Sequence, residues 1–147
     1  MQEILARKLR AFIGINNPDV LVKLQTESKV TDYLKEKVAS IDPLLTHLLA
    51  RDTEPYFIEE YCMHLMTADL RPSRFNYIAS VFEEEFEPVY RQFRFAGILR
   101  YEIINMVEAC KTVFDTVGFN EANVESRLLR YATTGALHDY LENKKWN

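Results

Sequence analysis

Apolar side chains recur every three to four residues from one end of this 147-residue chain to the other, and that spacing marks amphipathic helices. Alternating apolar and polar runs of strand length are hard to find. There are 4 glycines and no Asn-Gly or Asp-Gly pair, so the strongest hairpin signal is missing. The expectation is an all-α protein, an irregular bundle of about seven to eight helices, several of them short.

The punctuation supports this reading. Leu5, Leu9, Phe12 and Ile13 line a first helix. Asn17-Pro18-Asp19 reads as an N-cap, a proline at the first helical position and an acid in the first turn. It opens a short helix through Val20, Leu21 and Leu24. Val30, Tyr33, Leu34, Val38 and Ile41 form a third face. Asp42-Pro43 and Thr53-Glu54-Pro55 repeat the cap-then-proline start. The first leads into Leu44, Leu45, Leu48 and Leu49. The second leads into a face written as Tyr56, Phe57, Tyr61, Leu65 and Ala68.

Two long central helices are expected next. Phe75, Ile78, Phe82, Phe86, Val89 and Phe93 make one stripe from Ser73 to about Phe95. Pro88 lacks an N–H and its ring opposes residue 84, so the helix should kink or break briefly near Glu87. Leu99, Ile103, Met106, Cys110, Phe114 and Val117 predict a second long helix. Gly118 is placed to end it in the left-handed conformation, with Phe119 packing back on Phe114. Asn120 reads as the next N-cap, opening a last helix from Val124 to Glu142. Gly135 inside that helix implies a break or the close approach of another helix. With short connections and no repeat, residues 1–147 read as one domain, with a looser N-terminal subdomain 1–51 as the variant.

Composition narrows function by exclusion. The net charge is −4, made of +2 over residues 1–51, −5 over 52–97 and −1 over 98–147. A phosphate-coating protein normally carries a strong basic excess, so nucleic acid is disfavoured as a partner. No apolar run reaches the ~20 residues that span a bilayer, and MQEILARKLRAFIGIN carries charges where a secretory leader would be apolar. Cys62 and Cys110 sit in helical apolar patterns, as buried free thiols do. A cytoplasmic, bacterial-type protein is the expected setting.

The chemistry-bearing residues are sparse. Glu60 and His64 stand one helical turn apart and would supply two ligands to a metal, which generally needs three or more. His47 and His138 have less around them. Glu83, Glu84, Glu85 and Glu87 point about 100° apart in succession and cannot converge on one ion; they read as a solvated face, with Glu87 paired to Arg91. Gly-x-Ser-x-Gly, Gly-Lys-Ser/Thr and Gly-x-Gly-x-x-Gly are absent. No catalytic residue, metal site or cofactor is therefore assigned.

The aromatic residues off the main stripe are more informative. Tyr77, Tyr90, Phe95 and Tyr101, with Arg91 and Arg94 among them, are the types enriched at protein contacts. They are the candidate interaction surface. The expected function is a non-enzymatic interaction or assembly module whose partner is a protein, including a second copy of itself. Two alternatives stand beside it. One is an enzyme or small-ligand binder with a site between helices at Glu60 and His64. The other is a helix-turn-helix nucleic-acid binder using Arg7, Lys8, Arg10, Arg127 and Arg130. Lys144 and Lys145 read as a frayed, solvated end.

Overall fold

In the computed structural model, which describes residues 1–144, every regular element is helical. Ten α-helices occur among the described residues, more than the seven to eight expected. They are α1 Gln2–Asn16, α2 Pro18–Thr26, α3 Val30–Ser40, α4 Asp42–Ala50, α5 Pro55–Met66, α6 Arg74–Glu85, α7 Glu87–Phe95, α8 Leu99–Ala109, α9 Lys111–Val117 and α10 Arg127–Lys144. A 3₁₀ turn, Ala68–Leu70, follows α5.

The extra helices come from breaks inside the two stripes, one at the kink or brief break expected near Glu87 and one, at Cys110, in the stripe expected to be continuous. Pro88 splits the first, leaving Phe86 at φ −134° between α6 and α7. Cys110, at φ −92° and ψ 3°, divides the second into α8 and α9. Both breaks cost a single residue. The Phe114 N–H still reaches the Cys110 carbonyl and the Tyr90 N–H still reaches that of Phe86, so the apolar stripe keeps its phase across each. The longest helix is instead α10.

Tertiary contacts gather into two compact units, Met1–Arg71 and Pro72–Asn147. In the first, α1 packs on α2, α3 and α5 around Leu5, Leu9, Ile13, Leu21, Val38, Ile41, Leu45, Ile58, Cys62 and Met66. A subdomain ending at residue 51 would leave out α5, which supplies the last three of these. In the second, α6 packs on α8 and α10 around Ile78, Val81, Phe82, Ile103, Met106, Cys110, Phe114, Leu129 and Leu137. Phe82 is its aromatic centre, with the rings of Phe86, Tyr90 and Phe93 at 6.1, 5.7 and 5.7 Å.

Helix starts follow the prolines. Pro18, Pro43, Pro55 and Pro88 each stand in the first two helical positions, where the missing N–H has no partner to lose. The polar residues beside them do other work than capping. Asp42 is already helical and accepts a hydrogen bond from Gln2 at 2.7 Å. The Asn17 amide donates to the Leu70 carbonyl at 3.1 Å, fastening the 3₁₀ turn to the α1–α2 corner.

Helix ends differ from expectation. Gly118 has a positive φ of 90° but ψ 157°, an extended conformation open essentially to glycine alone, not the left-handed helical one. Phe119 nevertheless packs on Phe114, with ring centroids 4.8 Å apart. The 6→1 and 5→2 bond pair expected there closes α7 at Gly97 instead, with Ile98 N–H to Phe93 O at 3.0 Å and Gly97 N–H to Arg94 O at 3.1 Å. Asn120 does not start a helix. Its side chain accepts from the N–H groups of Ala122 and Asn123 while Asn123 accepts from the Asn120 N–H, which locks a turn. Ser126 then caps α10 by accepting from the Leu129 N–H. Gly135 neither breaks α10 nor admits a close neighbour, since a Cβ built there meets nothing within 4 Å.

Candidate interaction surface

The α7–α8 corner is set by which residues the second core claims. Val89, Tyr90 and Phe93 turn toward Phe82 and are half-buried. The opposite side of α7 then carries Glu87, Arg91 and Phe95 at i, i+4 and i+8, a single outward row. Glu87 accepts from Arg91 along it. The tight end at Gly97 lets the chain turn at once into α8, whose first turn buries Glu102 and Ile103 and leaves Tyr101 outside.

Four of the six residues expected at an interaction surface are exposed: Arg91, Arg94, Phe95 and Tyr101. Phe95 is 97% exposed and Tyr101 65%. Ile98, between them in sequence, is exposed as well. Tyr77 and Tyr90 belong to the core margin. The Tyr77 ring lies 6.3 Å from Phe114 and 5.3 Å from Phe119, so a second layer covers it. Burial pushes its phenol up, with the neighbouring Thr133 hydroxyl opposing. Burial, with the Glu83 charge adding, does the same to Tyr90.

The acidic run beside the corner is partly spent on the protein's own cations. Arg130 donates to Glu84 at 2.7 Å and to Glu85 at 2.9 Å. The Arg130 bond and charge hold the Glu84 carboxyl below its ordinary range. Glu83, Glu84, Glu87, Tyr90, Arg91 and Arg94 line an open depression of about 460 Å³.

Sequence reasoning missed Glu102. Its carboxylate is buried, with the residue 1% exposed. One oxygen accepts from the Tyr140 hydroxyl at 2.7 Å and the other meets Lys144 Nζ at 2.8 Å. Burial, then the hydrogen bond to Glu102 and its charge, pushes the Tyr140 phenol well above its ordinary range. The available signal was position: Glu102 interrupts the apolar row Leu99, Ile103 and Met106. Lys144, expected to be a frayed end, is tied to a buried carboxylate; Lys145 lies outside the described residues. The cluster fastens α10 to α8.

Glu60 and His64 are both exposed on α5, and no group of three or more His, Cys, Asp or Glu residues among the described residues could hold a metal ion. The α5 face expected to be buried is also the wrong one. Tyr56, Phe57, Tyr61 and Leu65 are exposed, and Ile58, Cys62 and Met66 take the core. α5 is apolar over more than half its circumference, so packing against α1, α3 and α4, not periodicity, chose the buried side. Among the basic residues of the nucleic-acid alternative, Lys8 pairs with Glu59 and Arg130 with Glu84 and Glu85. Cys62 and Cys110 are buried free thiols. No helix among the described residues is long and apolar enough to cross a membrane.

Set against known protein families, curated proteins and solved structures, the chain matches none of them.

Proposed function

We propose that this protein is a non-enzymatic interaction module that holds a protein partner on the α7–α8 corner through Phe95, Tyr101 and Arg94. The observation that carries this reading is Phe95, a large ring 97% exposed at a corner that also exposes Ile98 and Tyr101. A single exposed apolar residue is ordinary on any surface; aromatic residues gathered with Arg are the composition of binding hot spots. Burying one such ring contributes about 1.5–3 kcal/mol. The partner that fits presents an apolar pocket rimmed by carboxylates, which Arg94 would meet. Stacked nucleic-acid bases would suit the rings, but the adjacent glutamates repel phosphate.

The test is affinity purification of the tagged full-length chain from its native cell, run beside Phe95→Ala/Tyr101→Ala. Truncating hot-spot aromatics costs about 2 kcal/mol or more, roughly a 30-fold weakening, so the partner should be lost from the variant. A partner retained equally by both baits, or no specific partner on either, would sink the proposal.

A further inference from the structure

The first unit carries a surface that shares no residue with the α7–α8 corner. On α5, Phe57, Tyr61 and Leu65 recur at i, i+4 and i+8, and they are 50%, 61% and 48% exposed. Tyr56 packs edge-on against Phe57, ring centroids 5.9 Å apart, and is exposed too. An aromatic side chain can bury about 150–250 Å², so these three rings offer roughly 300 Å². With Leu65, that approaches half of the ~800 Å² each partner contributes to a standard interface. One flank of the row is polar, with Glu60 and His64 one turn apart.

We propose that this face binds a second copy of the chain, α5 against α5 in antiparallel register about a two-fold axis level with residue 62. Two features of the row select that arrangement together. A two-fold at residue 62 sets the partner's Tyr61 at the level of residue 63, between Tyr61 and Leu65. It sets the partner's Leu65 at the level of residue 59, between Phe57 and Tyr61. The apolar rows therefore interleave, as knobs do in the gaps of a facing helix. The same register brings Glu60 level with the partner's His64 and His64 level with the partner's Glu60, on one side of the seam. Parallel pairing would put the two copies' polar flanks on opposite sides of the seam, with neither Glu60 facing a His64. The patch is thus self-complementary in shape and in charge, which an isologous dimer requires.

The experiment is sedimentation and light scattering of the full-length chain across micromolar concentrations, at a pH near 6 where histidine carries charge. The wild type should be a dimer. Tyr61→Glu, an exposed position, should weaken the dimer about 30-fold or more with an unchanged far-ultraviolet spectrum, and Phe95→Glu should leave it intact. Glu60→Lys and His64→Glu place like charges across their own two-fold, so each homodimer should weaken. Mixing the two variants should restore dimers as a heterodimer. There the lysine introduced at position 60 of one copy faces the glutamate introduced at position 64 of the other, and the native His64 and Glu60 face each other as before. A wild type that stays monomeric overturns the proposal, whatever other protein binds it. So does a dimer that survives Tyr61→Glu, or a mixture that forms no heterodimer. Partner loss from the Phe95→Ala/Tyr101→Ala bait is read separately, so either proposal can fail alone.

Discussion

Replacing Tyr140 with Phe deletes one oxygen, and its cost tests whether Glu102 is a buried anion held by that hydroxyl. The hydrogen bond is 2.7 Å long, to a carboxylate on a residue 1% exposed. A hydrogen bond to a charged group contributes about 1.5–3 kcal/mol, so Tyr140→Phe should destabilise by that amount. Glu102→Leu removes the acceptor and leaves the hydroxyl only its hydrogen bond with Asn105, costing about 1–3 kcal/mol. Making both changes leaves neither the Tyr140 hydroxyl nor the Glu102 carboxylate behind without the other. An apolar replacement of a buried polar pair is often close to neutral, so the double variant should be far less unstable than the two costs added. Lys144 plays the smaller part, because its side chain is 40% exposed and can return to water. Lys144→Met should cost under about 1 kcal/mol, as pairs screened by solvent do. Urea unfolding followed by far-ultraviolet circular dichroism on all four variants gives the cycle. Additivity of Tyr140→Phe and Glu102→Leu to within about 0.5 kcal/mol, the behaviour of independent sites, would refute the coupling. A Lys144→Met cost above that of Tyr140→Phe would invert the ranking of the two partners.

Two further outcomes follow from the same structure. Gly135→Ala should stabilise by roughly 1 kcal/mol, since the site is mid-helix with open space around an added Cβ and alanine holds less freedom in the unfolded chain; a lowered urea midpoint would show a contact there. Stability should decline as pH rises from about 9 to about 12. Burial pushes the Cys110 thiol from 9.0 to about 12, and burial aided by the Asp69 charge pushes the Tyr33 phenol from 10.0 to about 12. The unfolded chain therefore sheds these protons first, and the stabilisation is complete below the unfolded values and lost on the way up. Urea midpoints measured across that interval check the sign, and Cys110→Ala should soften the first part of the decline. A midpoint that rises with pH would contradict it.

The helical class was legible because a three-to-four-residue apolar period is a local property that survives any arrangement of the helices. Helix starts at Pro18, Pro43, Pro55 and Pro88 were legible for a similar reason, since proline fixes φ and lacks an N–H wherever it stands. The break at Cys110 was not. A one-residue interruption leaves the stripe in phase, and periodicity reports phase rather than continuity. Gly135 marks neither a break nor a close approach, because a helix packed along Leu129, Thr133, Leu137 and Leu141 tolerates the local cost of one glycine with open space beside it.

What the amino-acid order determined alone is therefore the helical class, the helix starts set by proline and the buried identity of both cysteines. The choice of face belonged to the tertiary structure. α5 has apolar side chains on two adjoining sides, and contact with α1, α3 and α4 buried Ile58, Cys62 and Met66 while leaving Phe57, Tyr61 and Leu65 in water. The same holds at the other unit, where Phe119 and Phe114 covered Tyr77 but nothing covered Phe95. Burial depends on which neighbours arrive, a long-range outcome that no local spacing of residues encodes.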